Sequence, residues 1–245
     1  MIYYTVYKHS IMIFVMSELV EHLKQKQWLW QGSNTRCEHE VITSGFEHLD
    51  AQLNGGFPRY GAVEIQSASG IGELRLLLPH LCASASNKAH TNRLMVFIQP
   101  PGILSIQQLT AAGISANNVI VIAPQNEQHA LWAAEQCAKS GACSHVLFWP
   151  HDVQTHQARR LQVASETGQC LQFLFRHTQT HRSSLPVSLS LTLHSSEQGL
   201  AFEINKRKGG WQHGRFTIDM QKEWPDLVLK PRRSVVVPFH QAKQG

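Results

Sequence analysis

The sequence is short of the features that usually announce a chemical site. Five of its 245 residues are cysteines, and no pair has CxxC spacing, which excludes a zinc ribbon and a dithiol centre of the usual kind. Cys37, Cys82, Cys137, Cys143 and Cys170 are scattered, as free thiols in a reducing, cytoplasmic compartment would be. No HExxH occurs among the fifteen histidines. His177 with His181, and His151 with His156, lack the Cys or Glu that would complete a zinc set, so no metal is expected. Gln66-Ser67-Ala68-Ser69-Gly70 lacks the first glycine of a G-x-S-x-G nucleophile elbow, which argues against a serine hydrolase. No apolar run reaches the roughly 20 residues of a membrane span. The nearest, residues 1–16, is broken by Lys8-His9-Ser10. Charged residues make up only 16% and hydrophobic residues 42%, too apolar for disorder and too polar for a membrane bundle.

What is present is an alternation of two periods. Residues 1–15 read as an extension or an upstream start, because Met16-Ser17-Glu18 makes a better beginning. Ser17 can cap a short helix that carries Leu19, Val20, Leu23 and Trp30, and residues 31–42 read as polar linker. Ser44-Gly45-Phe46-Glu47 has capping-box spacing. Phe46, Leu49 and Leu53 then recur on one helix face until Asn54-Gly55-Gly56 ends it. Strands are predicted at 61–65, 94–98, 119–122, 145–149 and 171–175. Helices are predicted after 72 and at 106–112, 127–139 and 158–167. Buried runs of about five residues between amphipathic helices indicate a parallel sheet covered on both faces. Strands at 187–193, 200–205 and 216–218 follow without helices and are expected to be antiparallel additions. Trp132 and Trp149 fall in these elements and read as core packing.

The first long strand runs into Ser67-Ala68-Ser69-Gly70-Ile71-Gly72 and then a leucine-rich helix, the setting of a phosphate-binding loop. That loop needs G-x-x-x-x-G-K-[ST]. With Gly72 as the second glycine, Ser67 stands at the first, Glu73 at the lysine and Leu74 at the hydroxyl residue. A unit charge 4 Å from a phosphate is worth about 4 kcal/mol at an effective dielectric of 20. Reversing its sign therefore costs up to about 8 kcal/mol, or about six decades of affinity. The loop Ser67, Ser69, Gly70, Gly72, Glu73, Leu74 is expected to be a degenerate phosphate loop, with no nucleotide cofactor.

Ser44-Gly45-Phe46-Glu47-His48-Leu49-Asp50 and Leu53-Asn54-Gly55-Gly56-Phe57-Pro58-Arg59-Tyr60-Gly61 resemble the segment leading into the phosphate loop of RecA-type recombinases. Gly70-Ile71-Gly72-Glu73-Leu74-Arg75-Leu76-Leu77-Leu78-Pro79, Ala130-Leu131-Trp132-Ala133-Ala134-Glu135-Gln136 and Arg159-Arg160-Leu161-Gln162 resemble ImuA, the RecA-like accessory family of SOS mutagenesis cassettes. The second half, from Leu76 to about Arg176, is also similar to SulA, the SOS inhibitor of cell division that binds FtsZ. The resemblance implies an α/β fold: a RecA-like P-loop-type core, a mostly parallel sheet with helices on both faces, and antiparallel C-terminal strands. It divides the chain into an N-terminal extension and short helical arm (1–42), a degenerate RecA-like domain (43–222) and a basic C-terminal tail (223–245).

Set against the recombinase pattern, Gln99-Pro100-Pro101 stands where an acidic pair follows a strand. Trp149-Pro150 stands at the Walker B aspartate, with Asp152 displaced into the loop. The resemblance therefore implies a pseudo-ATPase rather than an enzyme, lacking the Walker A lysine, the Walker B aspartate and the catalytic glutamate. It implies an adaptor in translesion synthesis that binds an ImuB-like polymerase homologue, RecA, or both; the alternative is a SulA-like inhibitor whose partner is FtsZ. Residues 176–182, with Arg176, His177, His181 and Arg182, match a mobile DNA-binding loop of recombinases. Lys206, Arg207 and Lys208 match lysines that reach a neighbouring subunit's nucleotide. With Lys230, Arg232 and Arg233 of the tail, these cations are the candidate DNA or partner contacts. The formal charge is +5, and residues 206–245 alone carry nine Lys/Arg against three acids. The body is close to neutral, and no membrane partner is expected.

Overall fold

The structure is a computed structural model that describes residues 40–68, 70–87, 92–177, 185–197, 199–208, 214–221 and 224. The predicted Ser17 helix, Ser69, Arg182 and the tail cations Lys230, Arg232 and Arg233 lie outside the described residues.

Ten strands and five α-helices lie among the described residues. Val41–Ile42 (β1) pairs antiparallel with Phe57–Pro58 (β2), so the end of the expected linker is part of a small two-stranded ladder. Between them lies Glu47–Gln52 (α1). The capping box expected there does not form. Phe46 is the cap residue, and the Ser44 hydroxyl turns back to accept from the Phe46 amide at 3.2 Å. Asp50 ties down the approach to the helix: its Oδ1 accepts from the Ser44 amide at 2.7 Å and its Oδ2 from the Thr43 hydroxyl. The physical reason is a turn at Gly45 (φ 89°), where a Cβ would stand 2.3 Å from that of Pro79. The chain is pressed against the next helix before it can wind as a box. Phe46, Leu49 and Leu53 are all buried, as their spacing requires.

The main sheet has the order β10-β9-β8-β3-β7-β6-β4-β5. Its strands are Gly61–Ser67 (β3), Leu94–Ile98 (β4), Val119–Ile122 (β5), Cys143–Phe148 (β6), Leu171–His177 (β7), Leu189–Ser196 (β8), Gly199–Arg207 (β9) and Arg215–Asp219 (β10). The helices are Glu73–Ala85 (α2), Ile106–Ala111 (α3), Glu127–Lys139 (α4) and Thr155–Thr167 (α5). Strands β3 to β7 pair parallel. One expectation about the last strands is corrected: β8 is parallel to β3, and only β9 and β10 are added antiparallel.

Alternation along the strands sorts the core into two layers. Val63, Ile65, Met95, Phe97, Leu147 and Phe173 face α1, α2 and α3 through Leu49, Leu76, Leu77, Leu81 and Leu109. Ala62, Val96, Ile98, Val146, Phe148 and Leu174 face α4 and α5 through Ala130, Ala134, Ala138, Ala158, Leu161 and Ala164. Helices on both faces explain why the strands read as unbroken apolar runs. The alanines of α4 and α5 allow close helix packing, and Gly168 takes this furthest: a Cβ there would lie 2.0 Å from the Ala138 carbonyl oxygen. Among the described residues no helix is long and apolar enough to cross a membrane.

Candidate functional site

In a sheet of this kind ligands gather beyond the carboxyl ends of the parallel strands. Here that edge carries Ser67, Ile98, Phe148 and His177, the last residues of β3, β4, β6 and β7. The turn after β3 is the segment expected from sequence to be a degenerate phosphate loop. Gly70 (φ 80°) and Gly72 (φ 108°) are both left-handed, and a Cβ on either would meet nothing closer than 3.8 Å. Backbone angle rather than space is what requires glycine there.

Glu73 is the first residue of α2 and only 6% exposed. Its Oε1 accepts from the Gly70 amide at 3.2 Å and its Oε2 from the Gly72 amide at 3.1 Å. Backbone amides of such a turn, at a helix N-terminus, are what would hold an anion. In this chain they hold a carboxylate of the same chain, which also suits the positive end of the α2 dipole. Leu74 packs against the α1–α2–α3 core layer, and Ser67 is buried at the strand end. From sequence Glu73 reads as the loss of a lysine; its position makes it the loop's internal occupant.

The neighbouring strand ends carry no carboxylate at the expected places. Gln99, after β4, sits at φ 53° and donates from Nε2 to Glu127 Oε1 at 3.3 Å. The same carboxylate oxygen lies 3.6 Å from His151 Nε2. Trp149, after β6, donates its amide to the Ile98 carbonyl at 3.1 Å and stacks on Phe175 with ring centroids 4.3 Å apart. It is packing, as its place in the sequence suggests. Trp132 is not: it stands on the outer side of α4, 63% exposed. Alanine spacing places Ala130, Ala134 and Ala138 inward, which turns residue 132 to solvent.

The basic candidates divide. Arg176 is withdrawn from any external contact, because its side chain is 4% exposed and its Nη1 is paired with Glu64 Oε1. Glu64, fully buried on the neighbouring strand, also accepts from the Ser190 hydroxyl at 2.6 Å. The expectation that Arg176 opens a loop is corrected: β7 runs on through His177, and its inward alternation carries Arg176 into the sheet. Lys206 and Arg207 belong to β9 rather than a turn. Lys206 Nζ donates to the Leu185 carbonyl at 2.9 Å. With the Asn54 amide turned so that its oxygen faces the guanidinium, Arg207 Nη1 and Nη2 donate to it at 3.1 and 3.2 Å, and burial lowers the Arg207 pKa. Lys208 is exposed and lies 3.5 Å from Glu166.

Three thiols, Cys137, Cys143 and Cys170, gather under α4. A hydrogen bond from Cys137 holds the Cys143 pKa down, at about 7, and the same bond raises that of Cys137. Burial raises Cys170, and also Cys82 on α2. Among the described residues no three His, Cys, Asp or Glu side chains are placed to hold a metal ion.

Comparison with known proteins gives two kinds of likeness. Residues 66–172 match the family model described as cell division inhibitor SulA. That span opens at the end of β3 and closes inside β7. The chain is also similar to RecA. It is 24% identical to Protein RecA of Gloeobacter violaceus over 161 residues, covering 66% of this chain and 42% of that protein. It is 31% identical to Protein RecA of Saccharopolyspora erythraea over 138 residues, covering 56% and 38%. The chain thus spans about two fifths of the RecA proteins it matches. Among solved structures, SulA from Pseudomonas aeruginosa aligns with a TM-score of 0.39 at 23% identity, over 47% of this chain and 97% of that one.

Proposed function

We propose that this chain is a degenerate RecA-like core that has exchanged nucleotide chemistry for binding, and that it serves as a catalytically inactive adaptor in SOS-induced translesion synthesis and mutagenesis. The observation that carries this reading is Glu73, whose carboxylate takes the Gly70 and Gly72 amides. A triphosphate would have to displace that carboxylate and then lie against its charge, with Leu74 and Trp149 in place of a magnesium ligand and a Walker B aspartate. Its partners on this reading are RecA, an ImuB-like polymerase homologue, or both. Similarity to RecA over 161 residues supports a recombinase-type surface. So does the outer strand β5, whose Ile120 and Val121 are 40% and 49% exposed on a sheet edge that is unpaired among the described residues.

The test has two arms. The purified chain with ATP and magnesium is expected to show no turnover, and cells lacking it are expected to lose DNA-damage-induced mutation. ATP hydrolysis that disappears in Glu73→Ala would overturn the adaptor reading.

A second reading rests on the match of residues 66–172 to the SulA model: an SOS inhibitor of division that binds FtsZ. Overexpression separates the two. Filamentation with direct FtsZ binding selects the inhibitor, and normal division with lost mutagenesis in the deletion strain selects the adaptor.

A further inference from the structure

Helices α4 and α5 pack side by side and leave a surface groove of about 820 Å³ between them. One wall is Glu135 and Lys139 of α4. The other is a face of α5 at helical spacing, with His156, Arg159, Arg160 and Val163 along it. Between His156 and Thr167 this face runs about 16 Å, three turns of a helix. One large apolar side chain of the lining, and one on α4 beyond the lining, are left uncovered. Val163 is 54% exposed on the α5 wall, and Trp132, seven residues before Lys139 and so on the same side of α4, is 63% exposed.

The charges are unequal. The carboxylate of Glu135 is already taken by Arg160 across the groove. Lys139 and Arg159 have no hydrogen-bond or ion-pair partner among the described residues. The groove therefore offers two unpaired cations, a neutralised pair and an apolar flank.

We propose that the α4–α5 groove is a docking site for an acidic amphipathic helix of another protein. An apolar stripe at i, i+3, i+4 and i+7 matches the Trp132 and Val163 flank, and carboxylates one turn to either side match Lys139 and Arg159. A nucleic-acid strand fits less well, because two unpaired cations make a poor phosphate track. The groove lies on the sheet face opposite α2, and the test needs neither ATP nor a recombinase, so its outcome is independent of the adaptor reading.

Binding to the full chain can be followed by fluorescence anisotropy with a labelled Leu/Glu peptide of about 14 residues, long enough for about 21 Å of helix. Controls are the same composition scrambled, a Leu/Lys counterpart and a labelled oligo-dT strand. The helical Leu/Glu peptide is expected to bind saturably, and the scramble about tenfold more weakly. Lys139→Glu with Arg159→Glu is expected to lower affinity for the Leu/Glu peptide about tenfold or more and to create binding of the Leu/Lys peptide. Val163→Ser is expected to weaken binding without changing the charge of the wall. All three positions are on the surface, and unchanged circular dichroism establishes that the variants fold. No saturable binding, or binding indifferent to these substitutions, overturns the proposal. So does oligo-dT binding that the same charge reversals abolish while the peptide does not bind, which would make the groove a nucleic-acid site.

Discussion

Two charged residues carry most of the chemistry legible at the scale of single side chains, and for both the sequence shows little beyond the sign. Glu73 stands where a phosphate-binding loop would carry lysine, and its opposite charge is visible in the sequence. Its carboxylate bridging two glycine amides is visible only once the turn is folded. Arg176 reads as an external cation but is half of a buried pair with Glu64. Removing one member of such a pair leaves the other charged and unpaired in the core, at about 3–5 kcal/mol. Arg176→Met is therefore expected to lower unfolding stability by about that much in a denaturant titration. Glu64→Gln combined with Arg176→Met is expected to recover most of the loss. Equal destabilisation by the single and the double variant would show that packing, not the charge, was at stake. The sequence holds one clue to this pair: charged residues at 64 and 176 fall within strands that carry no other Asp, Glu, Lys or Arg.

At the scale of elements, the periods are enough for nearly every helix and strand. Glu127–Lys139 and Val119–Ile122 form as their patterns require. What periodicity does not supply is which side of a helix is covered. Trp132 and Trp149 look alike in sequence, yet one is exposed on α4 and the other is stacked on Phe175. Trp149→Ala is expected to cost on the order of 2–3 kcal/mol through the cavity it leaves. Trp132→Gln is expected to change stability by less than about 0.5 kcal/mol. Paired thermal melts of the two variants check this, and comparable losses would place Trp132 in the core. Capping at α1 fails for a related reason. Ser44 and Glu47 have the spacing of a box, but the contact of Gly45 with Pro79 fixes the chain direction before the box can close. True side-chain caps stand elsewhere, where Ser105 accepts from the Gln108 amide and Asn126 from the His129 amide.

On the whole-molecule scale, the surplus of positive charge lies late in the chain. Residues 206–245 carry nine Lys/Arg against three acids, and the remaining residues are close to neutral. Folding draws Lys206, Arg207 and Lys208 into contacts with the body, so the tail cations are the ones expected to meet an acidic surface. Deleting residues 224–245 is expected to weaken DNA binding and to make its salt dependence shallower. On a single strand the slope falls by about 0.7 for each phosphate that the tail neutralises. A salt titration of oligonucleotide binding measures this; an unchanged slope would move any DNA contact off the tail.

The sequence by itself determined the layers of this molecule. Runs of branched and aromatic residues at strand length, alternating with 3.6-residue patterns, admit little other than a sheet covered on both faces. It also determined that an acid, Glu73, stands where a phosphate-binding loop would need lysine. The tertiary structure decided what each charged group is for, because a charge is defined by what lies within a few ångströms of it, and those neighbours come from distant parts of the chain. Glu64 meets Arg176 across two paired strands, Arg207 reaches Asn54 from a distant part of the chain, and Glu73 closes a loop that the sequence could only describe as lacking a lysine.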